Sequence, residues 1–118
     1  MIDVVIIDDE VWVAKMITQI IDWGAYGFRI AGIFHDGEEG LDGIRRLHPR
    51  LVLTDIRMPG CDGIELIRRA KELQPKLHFI VISGYRQFEY AQSALKYGVE
   101  DYLLKPLKQE ELSAILLR

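Results

Sequence analysis

"VVIIDDE", residues 4–10, decides how the chain is read: a run of β-branched residues suited to a buried strand ends in three consecutive acids. Burying an unpaired carboxylate costs several kcal/mol, so acids at the end of such a strand must be solvated, paired or bound to a cation. Four more short apolar runs follow at residues 30–34, 51–54, 79–82 and 102–104, and the intervals between them carry helical spacing. In the first interval Val13, Met16, Ile17 and Ile20 fall at i, i+3, i+4 and i+7; in the third, Ile64, Ile67, Ala70 and Leu73 form a similar stripe. Asp36 with Glu39 and Asp62 with Glu65 read as helix starts of the capping-box type. Pro49 and Pro75 read as stops, and Gly98 as the end of the fourth helix. The pattern is therefore βα repeated five times. Runs apolar on both faces belong to parallel strands covered by helices, and right-handed crossovers then give an α/β fold: a three-layer, doubly wound, five-stranded parallel sheet.

With 118 residues the chain fits a single domain, 1–118, large enough to bury its own core. Its 49% hydrophobic and 28% charged residues match an ordinary globular domain, and no apolar run approaches the ~18 residues of a membrane span. No signal peptide is evident, because acids follow the first apolar run directly. The lone Cys61 cannot form an internal disulfide. A net charge of -3 argues against a grip on a phosphate backbone, so the expected partners are proteins.

In a doubly wound sheet, function gathers at the carboxyl ends of the strands. The first strand delivers Asp8, Asp9 and Glu10; the third, "LVLTDIRMPG", delivers Asp55; the fourth, "FIVISGY", Ser83; the fifth, "DYLLKP", Lys105. Carboxylates crowded together raise one another's pKa unless a cation compensates, and an oxygen-only donor set without histidine or thiol suits Mg²⁺. Mg²⁺ commonly shares a phosphate oxygen, an ammonium balances a phosphoryl oxygen, a hydroxyl bonds another, and a carboxylate can serve as nucleophile. The edge is equipped for phosphoryl chemistry.

At these residues the chain resembles the receiver domains of two-component response regulators. "DDE", "DIRMPGCDG", "SGY" and "YLLKP" occur in the family's order across essentially the whole chain. The resemblance implies strand order 2-1-3-4-5, the flavodoxin-like arrangement. It implies that Asp55 accepts a phosphoryl group from a sensor histidine kinase. Asp8, Asp9, Asp55 and the backbone carbonyl of Arg57 would hold Mg²⁺, Lys105 would contact the phosphoryl group, and the bond before Pro106 would be cis. Ser83 and Tyr102 would form the switch pair, the hydroxyl moving toward the phosphoryl oxygen and the ring swinging inward. Arg57 and Tyr85 would tune dephosphorylation from where water approaches. The domain would be no enzyme beyond its own phosphoryl transfer and slow self-dephosphorylation. "IDWGAYGF" and "SGYRQFEYAQSALKYGVEDYLLKP" are similar to the subgroup fused to AraC-type DNA-binding domains. The expectation is a receiver from a longer, cytoplasmic transcription regulator that dimerises on phosphorylation through helices four and five or one and five. It would touch DNA only through another domain and would not touch membranes.

Plainer readings compete. Asp8, Asp9 and Asp55 could be helix caps or turn residues, Lys105 a loop lysine, Ser83 a turn residue and Tyr102 a packing residue. Phe88, Tyr90 and Tyr97 read as core or interface, His35, His48 and His78 as surface-loop residues, and Glu10 as the opening of the first helix. A redox role for Cys61 is disfavoured because neighbouring acids raise a thiol's pKa. The rival functions are a Mg²⁺-dependent phosphohydrolase, a flavin-binding module and a receiver-like module that is never phosphorylated. The first lacks the Asp-x-Asp pair after strand one that a haloacid-dehalogenase-like nucleophile needs, and no cap domain is visible. The second lacks a hydroxyl- and glycine-rich loop there.

Overall fold

The computed structural model describes residues 1–58, 61–84, 96–99 and 101–117. Its strands are β1 (Ile2–Ile7), β2 (Phe28–Phe34), β3 (Leu51–Thr54), β4 (His78–Ser83) and β5 (Asp101–Leu104). Its helices are α1 (Val11–Ile20), α2 (Gly37–Leu47), α3 (Gly63–Leu73) and α4 (Gln109–Leu116), with a 3-10 turn at Trp23–Tyr26. All four strand pairs are parallel, in the order β2-β1-β3-β4-β5. The α/β sheet expected from the five apolar runs is therefore the observed one.

Because strand side chains alternate faces, each strand feeds two cores. Val5 and Ile7 of β1, Val52 of β3 and Phe79 and Val81 of β4 pack against Leu41 and Ile44 of α2 and Leu66, Ile67 and Ala70 of α3. Their alternates Val4, Ile6, Leu51, Leu53, Ile80 and Ile82 pack against Ala14 and Ile17 of α1 and Leu112 of α4. Two apolar layers thus clamp a sheet whose central strands are almost wholly shielded from water. Between Val4 and Val5 the register against β2 slips, so that Ile30 faces Val4 but Gly32 faces Val5.

Two stripes differ from expectation in detail. Met16 is exposed, and α1 instead seats Ala14 beside Ile17, with Val13 and Ile20 at the margins. In α3, Leu73 is exposed while Leu66 is fully buried. At 100° per residue Met16 falls outside the buried arc centred on Ala14 and Ile17, whereas Leu73 is the last residue of α3, where the stripe leaves the sheet. The expected starts hold: Asp36 accepts a hydrogen bond from the Glu39 amide at 2.7 Å and Asp62 one from the Glu65 amide at 2.9 Å. Helix α2 ends at Leu47, followed by His48 in the left-handed region with φ 47°, and α3 ends at Leu73, just before Pro75. His78 opens β4 rather than sitting in a loop, because the β4 ladder extends down to Leu51. Most of the expected fourth helix, with Phe88 and Tyr90, lies outside the described residues. Tyr97 is half-buried against the core, and Gly98, at that helix's expected end, has φ +76°.

Candidate functional site: an acidic pocket on the carboxyl edge of the sheet

The sheet's hydrogen-bond ladder continues one residue past each strand and so fixes the pocket. Asp8 N donates to the Phe34 carbonyl at 3.0 Å, Asp55 N to that of Ile7 at 3.0 Å, and Lys105 N to that of Ser83 at 2.8 Å. Asp8, Asp55 and Lys105 are therefore placed by backbone pairing before any side-chain interaction forms. Asp8 and Asp55 are 1% and 4% exposed, Ser83 is fully buried, and Asp9 and Glu10 lie at the open rim.

The loop after Asp55 is held by close backbone approach. Gly63 N donates to the Ile56 carbonyl at 2.6 Å, and a methyl group on Gly63 would collide with the Asp55 carbonyl. Gly37, at the start of α2, likewise leaves no room for a side chain against the Cys61 carbonyl. Two glycines thus let α2 and α3 press the loop against the sheet.

Lys105 reaches across the pocket from β5. Its Nζ donates to Asp55 Oδ2 at 3.0 Å and to Glu10 Oε1 at 3.0 Å, and it lies 3.1 Å from Asp8 Oδ2. The last contact is an ion pair without hydrogen-bond alignment, and Asp8 Oδ2 is buried with no hydrogen-bond donor among the described residues. The other oxygens are anchored by the backbone, Asp8 Oδ1 by the Glu10 amide at 2.9 Å and Asp55 Oδ1 by the Ile56 amide at 2.7 Å. Carboxylate oxygens of Asp8, Asp9, Glu10 and Asp55 lie within 4.8 Å of one another.

This crowding shifts protonation. Burial pushes the Asp8 carboxyl up to about 6, helped by the Asp55 charge and opposed by the Glu10 amide and Lys105. Burial also raises Asp55, with Lys105 pulling the other way. For Lys105, burial disfavours the ammonium, but Glu10, Asp55 and Asp8 together outweigh it and raise its pKa. One cation is shared among more acid than it can neutralise. A buried carboxylate oxygen without a hydrogen bond, in an all-oxygen donor set, fits a hard divalent cation.

The remaining sequence candidates are placed as follows. Tyr102 pairs with Val81 in the β4–β5 register and is half-buried against the core. The Arg57 side chain is exposed. The Lys105–Pro106 peptide bond is cis. Tyr85 lies outside the described residues. Glu10 is the residue that sequence reasoning undervalued: it does precede α1, but it also bonds Lys105. No local pattern signals that pairing, because the partner is 95 residues away. The bonding of Lys105 to three acids also leaves little to the reading of an ordinary loop lysine.

A parallel sheet of this order with paired acids, a central aspartate and a lysine on its carboxyl edge defines a doubly wound α/β domain with an acidic pocket at its switch point. The family profile described as the response regulator receiver domain matches residues 4–117, and the chain belongs to that family. It is similar to the transcriptional regulatory protein HptR of Staphylococcus aureus, 41% identical over 118 residues, covering 100% of this chain and 46% of that protein. The transcriptional regulatory protein YesN of Bacillus subtilis is 39% identical over 116 residues, covering 98% of this chain and 32% of YesN. The chain thus spans between a third and a half of these relatives. Among solved structures, the REC domain of AraT, a response regulator from Geobacillus stearothermophilus, superposes with a TM-score of 0.92 at 37% identity, covering 98% of this chain and 89% of that one. CheY in the CheX–CheY–BeF3–Mg complex from Borrelia burgdorferi superposes at 0.89 with 28% identity, covering 98% and 87%. Among the described residues no helix is long and apolar enough to cross a membrane.

Proposed function

We propose that the chain is the phosphoacceptor switch of a two-component system: Asp55 takes a phosphoryl group from the phosphohistidine of a sensor kinase. The observation that carries this reading is the Lys105 ammonium 3.0 Å from Asp55 Oδ2 beside the buried Asp8 carboxylate. Asp55 attacks phosphorus through a carboxylate oxygen, the bond from phosphorus to the histidine nitrogen breaks, and that nitrogen keeps the electron pair. Asp8, Asp9 and Asp55, with the Arg57 carbonyl, would hold Mg²⁺, which when bound neutralises charge on the transferring oxygens. Lys105 keeps an ammonium next to the acceptor and balances the added charge of roughly -1.5 to -2.

Ser83 and Tyr102 are the switch pair in this reading. Ser83 ends β4 and Tyr102 sits in β5, joined by the parallel ladder, so a shift of the hydroxyl toward a phosphoryl oxygen is felt one strand away. Phosphorylation would favour a surface used for homodimerisation. The relatives' names support transcription control; in this reading DNA is contacted by a domain outside this chain and the whole protein works in the cytoplasm. Self-dephosphorylation is slow, tuned by Arg57 and Tyr85; Tyr85→Ala is expected to shorten the phosphoryl lifetime, and an unchanged lifetime would remove Tyr85 from that role. The function itself is tested by incubating the protein with a cognate kinase carrying labelled phosphohistidine. Label should move to the wild-type chain and not to Asp55→Asn, and transfer that persists in the variant would refute the assignment.

A further inference from the structure

Resting on that reading, we propose that Glu10 is a positioning residue that competes with the phosphoryl group for Lys105. An ammonium has three donor hydrogens, and three carboxylates already surround this one: Asp55 at 3.0 Å, Glu10 at 3.0 Å and Asp8 at 3.1 Å. Only Asp55 and Glu10 take aligned hydrogen bonds while Asp8 faces the ammonium as an ion pair, so a phosphoryl oxygen arriving on Asp55 meets an ammonium already crowded by three carboxylates and competes with them for it. Asp8 and Asp55 are buried and tied by backbone amides, whereas the Glu10 side chain is 61% exposed and, among the described residues, bonds Lys105 alone. Glu10 is the partner that can leave, because water takes over its carboxylate at little cost. Its backbone is fixed independently: the Glu10 carbonyl accepts from Val13 and Ala14 at the start of α1, and its amide donates to Asp8. The side chain can therefore swing away without disturbing the helix or the Asp8 anchor. In the resting state Glu10 shares Lys105 with Asp55 and Asp8, and in the phosphorylated state the phosphoryl oxygen takes the place of Glu10.

Removing the competitor should tighten binding of a phosphoryl mimic. The test is a titration of wild type, Glu10→Gln and Glu10→Ala with beryllofluoride at fixed Mg²⁺, in low and high salt. An exposed pair of this kind is worth up to roughly 1 kcal/mol, which corresponds to a roughly fivefold lower Kd in both variants. The gain should shrink in high salt, because the exposed Glu10–Lys105 pair that competes in wild type is itself screened there. A second readout needs neither metal nor mimic: the Lys105 ¹⁵Nζ resonance, assigned with Lys105→Arg, should shift in metal-free Glu10→Gln. Unchanged or weaker mimic affinity at low salt, a gain that does not shrink in high salt, or an unmoved Lys105 resonance would each overturn the proposal. If wild type itself binds no beryllofluoride, the phosphoacceptor reading fails and this inference falls with it. If wild type binds and the variants match it, only the role of Glu10 fails.

Discussion

Replacing Asp8 with asparagine should stabilise the metal-free protein while abolishing its response to Mg²⁺. Asp8 is 1% exposed, and its carboxyl is raised from 3.8 to about 6, chiefly by burial and secondarily by the Asp55 charge. At neutral pH the group is nevertheless ionised, and holding it so in the fold costs about 3 kcal/mol relative to the unfolded chain. The sign follows from the raised pKa. Between about 4 and about 6 the folded state binds a proton that the unfolded chain has released, so metal-free stability falls as pH rises through that window. A neutral amide escapes this penalty and its oxygen can still accept the Glu10 amide bond. The attraction of Lys105 is already contained in that raised pKa, so the gain is up to about 3 kcal/mol, or roughly 1–3 M in the urea midpoint. Urea denaturation in chelator at pH 7.5 should show Asp8→Asn as the more stable protein, with the difference gone by about pH 4. Added Mg²⁺ should then stabilise wild type by mass action and leave the variant unmoved. A variant less stable than wild type in chelator at pH 7.5, or one that still responds to Mg²⁺, would refute the electrostatic account of the pocket.

Lys105→Met should destabilise the metal-free protein by about 3 kcal/mol at pH 7.5, because it strands Asp8 and Asp55 without their cation; the loss should shrink toward pH 5 as those carboxyls protonate, read from denaturation curves. Mg²⁺ affinity measured by calorimetry should weaken as pH falls below about 6, with proton uptake on release, since Asp8 must be ionised to serve as a ligand. Gly63→Ala should cost roughly 2–4 kcal/mol in urea unfolding, because its new methyl group meets the Asp55 carbonyl, which is backbone and cannot rotate away. Asp36→Ala and Asp62→Ala should each cost about 1 kcal/mol through a lost helix cap, with phosphoryl acceptance retained.

The elements most legible in the sequence are those whose burial is complete. The third apolar run coincides with β3, Leu51–Thr54, because every residue in it is buried and both ends are marked by a change to charge. The other strands extend beyond their apolar runs by charged residues such as Asp3, Arg29 and Asp101, which join the ladder with half-buried or exposed side chains, so hydrophobicity does not announce them. Met16 and Leu73 were expected in the core and are exposed, because spacing identifies a face but not where the helix axis leaves the sheet. The 3-10 turn at Trp23–Tyr26 has no periodicity; it exists because Trp23 is buried with its indole nitrogen donating to the Ile17 carbonyl, while Asp22 caps the turn. In the pocket, Asp8, Asp55, Ser83 and Lys105 could be read from their places at strand ends, since topology brings those ends together. Glu10 could be placed on the same edge, but its bond to Lys105 could not be read, because that partner is set by side-chain reach across the pocket rather than by any local signal.

The central claim is that Asp55 is the phosphoacceptor, and the most direct measurement is intact-protein mass after incubation with acetyl phosphate and Mg²⁺, beside Asp55→Asn and a sample with chelator. The account predicts one phosphoryl adduct on the wild-type chain, mapped to the peptide containing Asp55 and absent from both controls. An adduct that survives in Asp55→Asn, or none in wild type under conditions where Mg²⁺ measurably binds, would contradict it.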